Sequence, residues 1–253
     1  MTDIRRDRPP ASPAQEALGM LIATLALLLF LGWRGNWMWA IGAVVGVFVH
    51  EYGHVLAMNA LGMGPAKFRI IPFMGGAATP ARPAPTEFKD VMVSLAGPSF
   101  GLLAALPFYA LAGITQQPMW LSAAIAVAVI NLLNLIPAPP LDGSRALGPV
   151  LAKIHPQFER GVLVVVGALA VIWCLQRGMM MFGLFVGISV FAALKRSTIR
   201  PFALKLTHRQ QVASVVLYLA TAGLCIALLA ETRSLMELST DPRELLGMFG
   251  LHL

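Results

Sequence analysis

Residues 37–61 read WMWAIGAVVGVFVHEYGHVLAMNAL, an apolar run in which His50, Glu51 and His54 fall within five residues. The run exceeds the roughly 20 residues needed to cross bilayer hydrocarbon. Ionisable side chains at such depth cost roughly 2.5–3.5 kcal/mol each on insertion scales, and they normally face the protein interior with partners. On a helix, residues four apart share a face, so His50 and His54 can bind one metal ion, while Glu51 lies beside them to take a proton from bound water. Two histidines satisfied by structural hydrogen bonds are the plain alternative. That alternative suits a lone histidine better than two histidines and a glutamate in one turn.

The rest of the chain fits a membrane setting. Of 253 residues, 57% are hydrophobic and 12% charged, against about 25% charged in soluble domains. Apolar runs at about 17–32, 37–61, 92–112, 120–136, 161–175, 179–194 and 212–230 predict an all-α polytopic protein with six to seven transmembrane helices. The first run lacks a clear cleavage site and reads as an uncleaved anchor. One membrane domain over 17–230, with a core at about 37–145, is expected between a flexible cytoplasmic tail at 1–16 and a short C-terminal tail at 231–253. No internal repeat is apparent, and the polar segments are too short for a separate soluble domain.

The net charge of +7 is explained by its distribution. With the N-terminus inside and seven spans, Arg5, Arg6, Arg8, Lys67, Arg69, Arg82, Lys89, Arg145, Lys153, Arg160, Lys195, Arg196, Arg200, Lys205 and Arg209 fall on the cytoplasmic side. Only Arg34, Arg177, Arg233 and Arg243 fall opposite, as the positive-inside rule requires. The basicity is therefore topological, and nucleic-acid binding is not expected. Cys174 and Cys225 lie in apolar runs without ligand spacing and read as small buried hydrophobes.

A catalytic zinc needs a third protein ligand and one open position. Ala57 and Ala60 stand where the longer soluble-protease pattern has glycine and a third histidine, and no carboxylate occurs between His54 and Glu87. The candidates are Glu87, Asp90, Asp142, His155 and Glu159. Only Asp142 is embedded at the end of an apolar run, in INLLNLIPAPPLDGSR (130–145). Pro137, Pro139 and Pro140 break the helix there, and Gly143 permits a turn. Irregular backbone near membrane depth is tolerated where protein buries it or water reaches it.

HEYGH in one spanning segment and NLIPAPPLDG at the end of a later one resemble the site-2 protease family of intramembrane zinc metalloproteases. SLAGPSFGLLAALPF (94–108) is similar to the family's Ala-Gly-Pro segment, which opens a helix between the two motifs. The resemblance implies one Zn2+ held by His50, His54 and Asp142, with Glu51 activating water. It further implies that Asn134 positions substrate or the developing oxyanion, and that the 64–80 segment offers an edge to an unwound substrate strand. FRIIPFMGG is the β-prone part of that segment, which makes Ile70, Ile71, Phe73, Gly75 and Gly76 the candidate edge. One departure stands out: the family's Ala-Gly-Pro is often followed by asparagine, and here the place reads Ser99, Phe100, Gly101.

The remaining polar residues read plainly. His155, His208 and His252 are surface histidines, and Glu87, Asp90 and Glu159 are interfacial charges among basic residues. Asn131, one turn before Asn134, reads as an interhelical hydrogen-bond donor rather than a site residue. The expected function is intramembrane cleavage of a membrane-spanning protein substrate. The expected location is a bacterial inner membrane, with the site near the cytoplasmic side and room for a regulatory membrane partner. The alternative is a non-proteolytic relative using a structural metal to bind membrane partners; a transporter would show a repeat and paired broken helices.

Overall fold

The computed structural model describes residues 13–34, 36–71, 75–178, 180–195 and 204–238. Phe73, His252 and most of the two expected tails lie outside the described residues.

Helix α1 (Pro13–Arg34) leads into α2 (Trp37–Ala60), whose first turn is capped by the Asn36 side chain accepting from the Met38 N–H at 2.8 Å. A two-stranded antiparallel hairpin follows, β1 (Lys67–Ile71) and β2 (Gly75–Thr79), with Ile70 opposite Gly76 and Ile71 opposite Gly75. The β-prone reading of that segment therefore holds.

Next comes α3 (Glu87–Gly101), extended through a 3-10 turn at Leu102–Ala105 into α4 (Leu106–Thr115). The Ala-Gly-Pro segment, expected to open this helix, instead lies inside it. The helix starts at Glu87, where the Thr86 hydroxyl accepts from the Lys89 N–H at 3.1 Å. Then follow α5 (Met119–Asn134), α6 (Asp142–Ile154), α7 (Pro156–Gln176), α8 (Met180–Lys195) and α9 (His208–Leu238). The break between α5 and α6 falls on the expected prolines.

Four helical stretches, at Trp37–Ala60, Glu87–Thr115, Pro156–Gln176 and His208–Leu238, are long and apolar enough to cross a membrane. Three shorter apolar helices at Ala17–Trp33, Met119–Asn134 and Phe182–Lys195 fall on the other expected runs.

About half of α2 is buried inside the protein, whereas α7 and α9 turn most of their surface outward. Lipid tails are as apolar as leucine, so helices in a bilayer associate by close packing rather than by hydrophobic expulsion, and small residues serve this best. The packing here follows that rule. One cluster joins Ala104, Ala105, Phe108, Ala123, Ala124 and Val127 beside Ile41 and Val45 of α2. A methyl at Gly42 would collide with the Ala123 backbone of α5, and one at Gly53 would come 2.7 Å from the Ala96 carbonyl oxygen of α3. Backbone thus meets backbone on two faces of α2.

A second cluster ties Val91 and Leu95 of α3 to Leu135, to Ala146 of α6 and to Cys225 of α9. Both cysteines are free and buried, as expected. The segment before α9 is strapped to the start of α3. Glu87 N–H donates to Leu204 O at 2.9 Å, and the Glu87 carboxylate accepts from Leu206 N–H at 3.1 Å and from Lys205 Nζ at 2.9 Å.

Candidate metal centre

The 3.6-residue period of α2 stacks His50 and His54 on one face, and both are buried. Asp142 begins α6 and reaches the same point from the far side of the proline break. Its placement depends on the local chain path. A Cβ at Gly143 would strike the backbone at Leu135, so only glycine lets α6 start this close to the end of α5. The loop is held by Leu141 N–H donating to Ala138 O at 2.8 Å and by Ser144 Oγ–H donating to Leu141 O at 2.7 Å. From α9, Tyr218 donates its hydroxyl to Leu135 O at 2.5 Å.

His50 Nε2 lies 3.0 Å from Asp142 Oδ2, and His54 Nε2 lies 3.1 Å from both that oxygen and His50 Nε2. His50, His54 and Asp142 form a buried group that could hold a metal ion. The hydrogen bonding behind the rings tests the fit. His54 Nδ1 is 2.8 Å from the Val93 carbonyl oxygen, an acceptor that can only receive a proton. His50 Nδ1 is 2.9 Å from Asn131 Oδ1. A neutral imidazole has one N–H. With that proton held at Nδ1 in both rings, two Nε2 lone pairs and a carboxylate oxygen face one another, an arrangement that needs a cation between them. Three ligands of a tetrahedral zinc, each about 2.0–2.1 Å from it, stand about 3.3 Å apart, close to the separations seen. The donor set fits the ion.

Glu51 is buried on α2 and is within electrostatic reach of His50, His54 and Asp142. The hairpin covers it: a Cβ at Gly76 would lie 2.7 Å from its Oε1. Gly76 is thereby brought against the site. Ile70, Ile71 and Gly75 lie in the hairpin by register alone. Asn134 is half-buried in the last turn of α5, where its Nδ2 donates to Ile130 O at 3.0 Å.

Of the five candidates for a third donor, only Asp142 reaches the histidines. Asp90 pairs with Arg145 and ties α3 to α6 one turn beyond Asp142. Burial works against the Arg145 charge, but the Asp90 and Asp142 carboxylates more than offset it and hold its pKa above the ordinary value. His155 is exposed and caps α7, accepting from the Gln157 N–H at 3.2 Å. Glu87 and Glu159 correct the surface reading, since each is only 2% exposed. The cause for Glu87 is the strap, which arrives from more than a hundred residues downstream.

Two contributors to the site were not assigned from sequence, the Val93 carbonyl and Gly97. The reading of Asn131 as an interhelical donor is corrected: it does bond across helices, but through its oxygen and to a site histidine, while its Nδ2 donates within α5. A Cβ at Gly97 would overlap the His54 ring and lie 2.9 Å from His50 Nε2, so α3 passes the histidines with bare backbone. The small residues of Ala-Gly-Pro were the available signal.

The match with known proteins centres on these same elements. Residues 38–123 match the model of Peptidase family M50. This is the site-2 protease family, the one that HEYGH and the Ala-Gly-Pro segment resemble. The M50 match takes in α2, the hairpin, α3, α4 and the start of α5; Asn131 and Asp142 lie beyond it. A Synechocystis protein named "Putative zinc metalloprotease sll0528" is 26% identical over 143 residues, covering 51% of this chain and 37% of that protein. Rip3 of Mycobacterium tuberculosis, named in the same way, is 28% identical over 131 residues, 46% of this chain and 33% of its own. The matched stretch thus spans about a third of the length of these curated relatives. No solved structure matches the chain.

Proposed function

We propose that the chain is an intramembrane zinc endopeptidase that hydrolyses peptide bonds in or near the transmembrane segment of membrane-anchored proteins. The observation that carries this reading is the convergence of Asp142, from the start of α6, on two Nδ1-bonded histidines that share an apolar, span-length helix with Glu51. The M50 match and the names of the relatives support a metalloprotease.

His50, His54 and Asp142 would hold the zinc, one ion per chain. When bound, zinc supplies Lewis acidity and lowers the pKa of a coordinated water to about 7. Glu51 would act as the general base and acid at the site, accepting a proton from water and returning it to the leaving amine. β2 covers its carboxylate at Gly76. A peptide bond in a membrane helix has its amide hydrogen-bonded and shielded, so the substrate must unwind locally before attack. A two-stranded sheet leaves an unpaired edge on each strand, and we assign the docking of the unwound segment to the Ile70–Gly76 hairpin, with β2 nearer the proton acceptor. Asn134 supports the substrate carbonyl from the end of α5. Six to seven helices cross the bilayer in this reading, with the N-terminus and hairpin cytoplasmic; counted with seven spans, the fifteen-to-four division of Lys and Arg supports that orientation.

The test is Glu51→Gln. The variant should retain zinc and lose cleavage of membrane-protein fragments by at least about 100-fold, the lower end for removal of a general base. Undiminished peptidase activity would remove the mechanism, and comparing fragments accumulated with each enzyme would identify substrates.

A further inference from the structure

We infer that Asn131 is a positioning residue of the metal centre: it fixes His50 in the tautomer that turns a bare Nε2 toward Asp142 and His54, and Gly101 is what makes room for it. The inference rests on the metal-centre reading above.

Asn131 is fully buried on α5, and its amide is held at both ends. Nδ2 donates to the Val127 carbonyl at 2.8 Å, which leaves Oδ1 toward His50 Nδ1 at 2.9 Å. Reversing the amide would press two acceptor oxygens together in a buried site and turn N–H groups on the imidazole. Leaving these buried groups without complementary partners is strongly unfavourable. The orientation is therefore determined by the network. Because an amide oxygen only accepts, the His50 proton belongs on Nδ1 and the lone pair on Nε2. His54 obtains the same result from the Val93 carbonyl on α3. The two rings are thus oriented from opposite sides, one by backbone and one by a side chain.

The side chain needs space that only α3 can give. A Cβ at Gly101 would lie 2.6 Å from both Cγ and Nδ2 of Asn131, closer than real Cβ contacts allow. Any other residue at 101 would push the amide off the imidazole. Gly101 falls in the stretch Ser99, Phe100, Gly101, where the resembling family often carries an asparagine after Ala-Gly-Pro. In this chain an amide occupies the space beside Gly101 from the facing helix. It follows that asparagine at 101, opposite alanine at 131, would carry an amide into the same space from α3.

The experiment measures zinc affinity of the full chain in detergent by chelator competition, together with the visible spectrum of the Co2+-loaded protein. Asn131→Ala should weaken zinc binding about 10–100-fold, the usual consequence of losing an outer partner of a ligating histidine, and should alter the Co2+ bands. Gly101→Ala, which leaves Asn131 in place but displaces it, should weaken binding in the same direction. Asn131→Ala combined with Gly101→Asn should recover most of the affinity and the wild-type spectrum. If Asn131→Ala fails to accumulate, Asn131→Leu, which fills the space without an acceptor, carries the same expectation. Wild-type affinity in the single variants, or no recovery in the double variant, overturns the inference. His54→Ala separates the two levels of argument. If it binds zinc like wild type, the metal centre itself is wrong; if it loses zinc while Asn131→Ala keeps it, only the role of Asn131 falls.

Discussion

Gly97 of α3 lies so close to His54 of α2 that a single methyl at position 97 would occupy the volume of the imidazole ring. Glycine inside a helix is otherwise about 1 kcal/mol worse than alanine, so the local propensity and the site oppose each other. Gly97→Ala is expected to lose zinc by tenfold or more, on the scale of disturbing a ligand's supporting shell. Its helix content by circular dichroism should remain intact. Retained zinc at wild-type affinity would show that α3 can retreat, and the close approach would then have no bearing on the metal.

Asp142 is the donor that joins the second half of the chain to the histidines. Asp142→Asn keeps the size of the side chain and removes its charge, whereas Asp142→Ala removes the donor. The alanine variant should purify without zinc, and the asparagine variant should bind it at least tenfold more weakly, since neutral amides are poor replacements for a carboxylate in a zinc site. Metal analysis per chain decides this.

Metal removal should destabilise the protein. A ligand that binds only the folded state adds about 2.7 kcal/mol when present at 100 times its Kd. Thermal unfolding should shift upward with added zinc in wild type and return on chelation, with no shift in Asp142→Ala. A zinc-dependent shift of equal size in that variant would place the ion elsewhere.

Gly76 borders Glu51 with no side chain of its own. Gly76→Val would force the carboxylate to move, and misplacement of a reacting group by about 1 Å can cost on the order of 100-fold in rate. Cleavage should fall by about that factor while zinc affinity stays at the wild-type value. Loss of both would mean that the hairpin supports the metal rather than the proton transfer.

The strap at Glu87 predicts the opposite separation. Glu87→Ala leaves the Leu206 N–H without its acceptor and should cost about 1–3 kcal/mol of stability. Lys205→Ala should cost under about 1 kcal/mol, because that ammonium is largely exposed and its ion pair is screened. Thermal unfolding with parallel zinc titration checks both, and zinc affinity should change in neither.

What could be read from the sequence follows from how local each feature is. His50, Glu51 and His54 are legible because a helix converts a four-residue spacing into a shared face. The exit from α5 is legible because proline cannot continue a helix. The hairpin could be placed for a similar reason, from β-prone residues followed by glycines. Asp142 was singled out among five candidates by its apolar setting, and the geometry isolates it. The residues that were missed act across helices. Nothing near Asn131 in sequence says that His50 lies opposite, 81 residues away, and nothing near Glu87 says that Leu206 arrives to cover it. Ala-Gly-Pro was visible, but its meaning, bare backbone sliding past an imidazole, exists only once α2 and α3 are packed.

The small-residue seams along α2 bear on how a substrate gets in. With Gly42 against α5 and Gly53 against α3, the ligand-bearing helix is gripped by neighbouring backbone on two faces, and it has no side chains there that could flex to let it swing. Under the proposed reading, a substrate helix passing along either seam would have to part α2 from α3 or α5, whose packing brings the site residues together. Passage on the side of α1 and the hairpin would leave both seams closed.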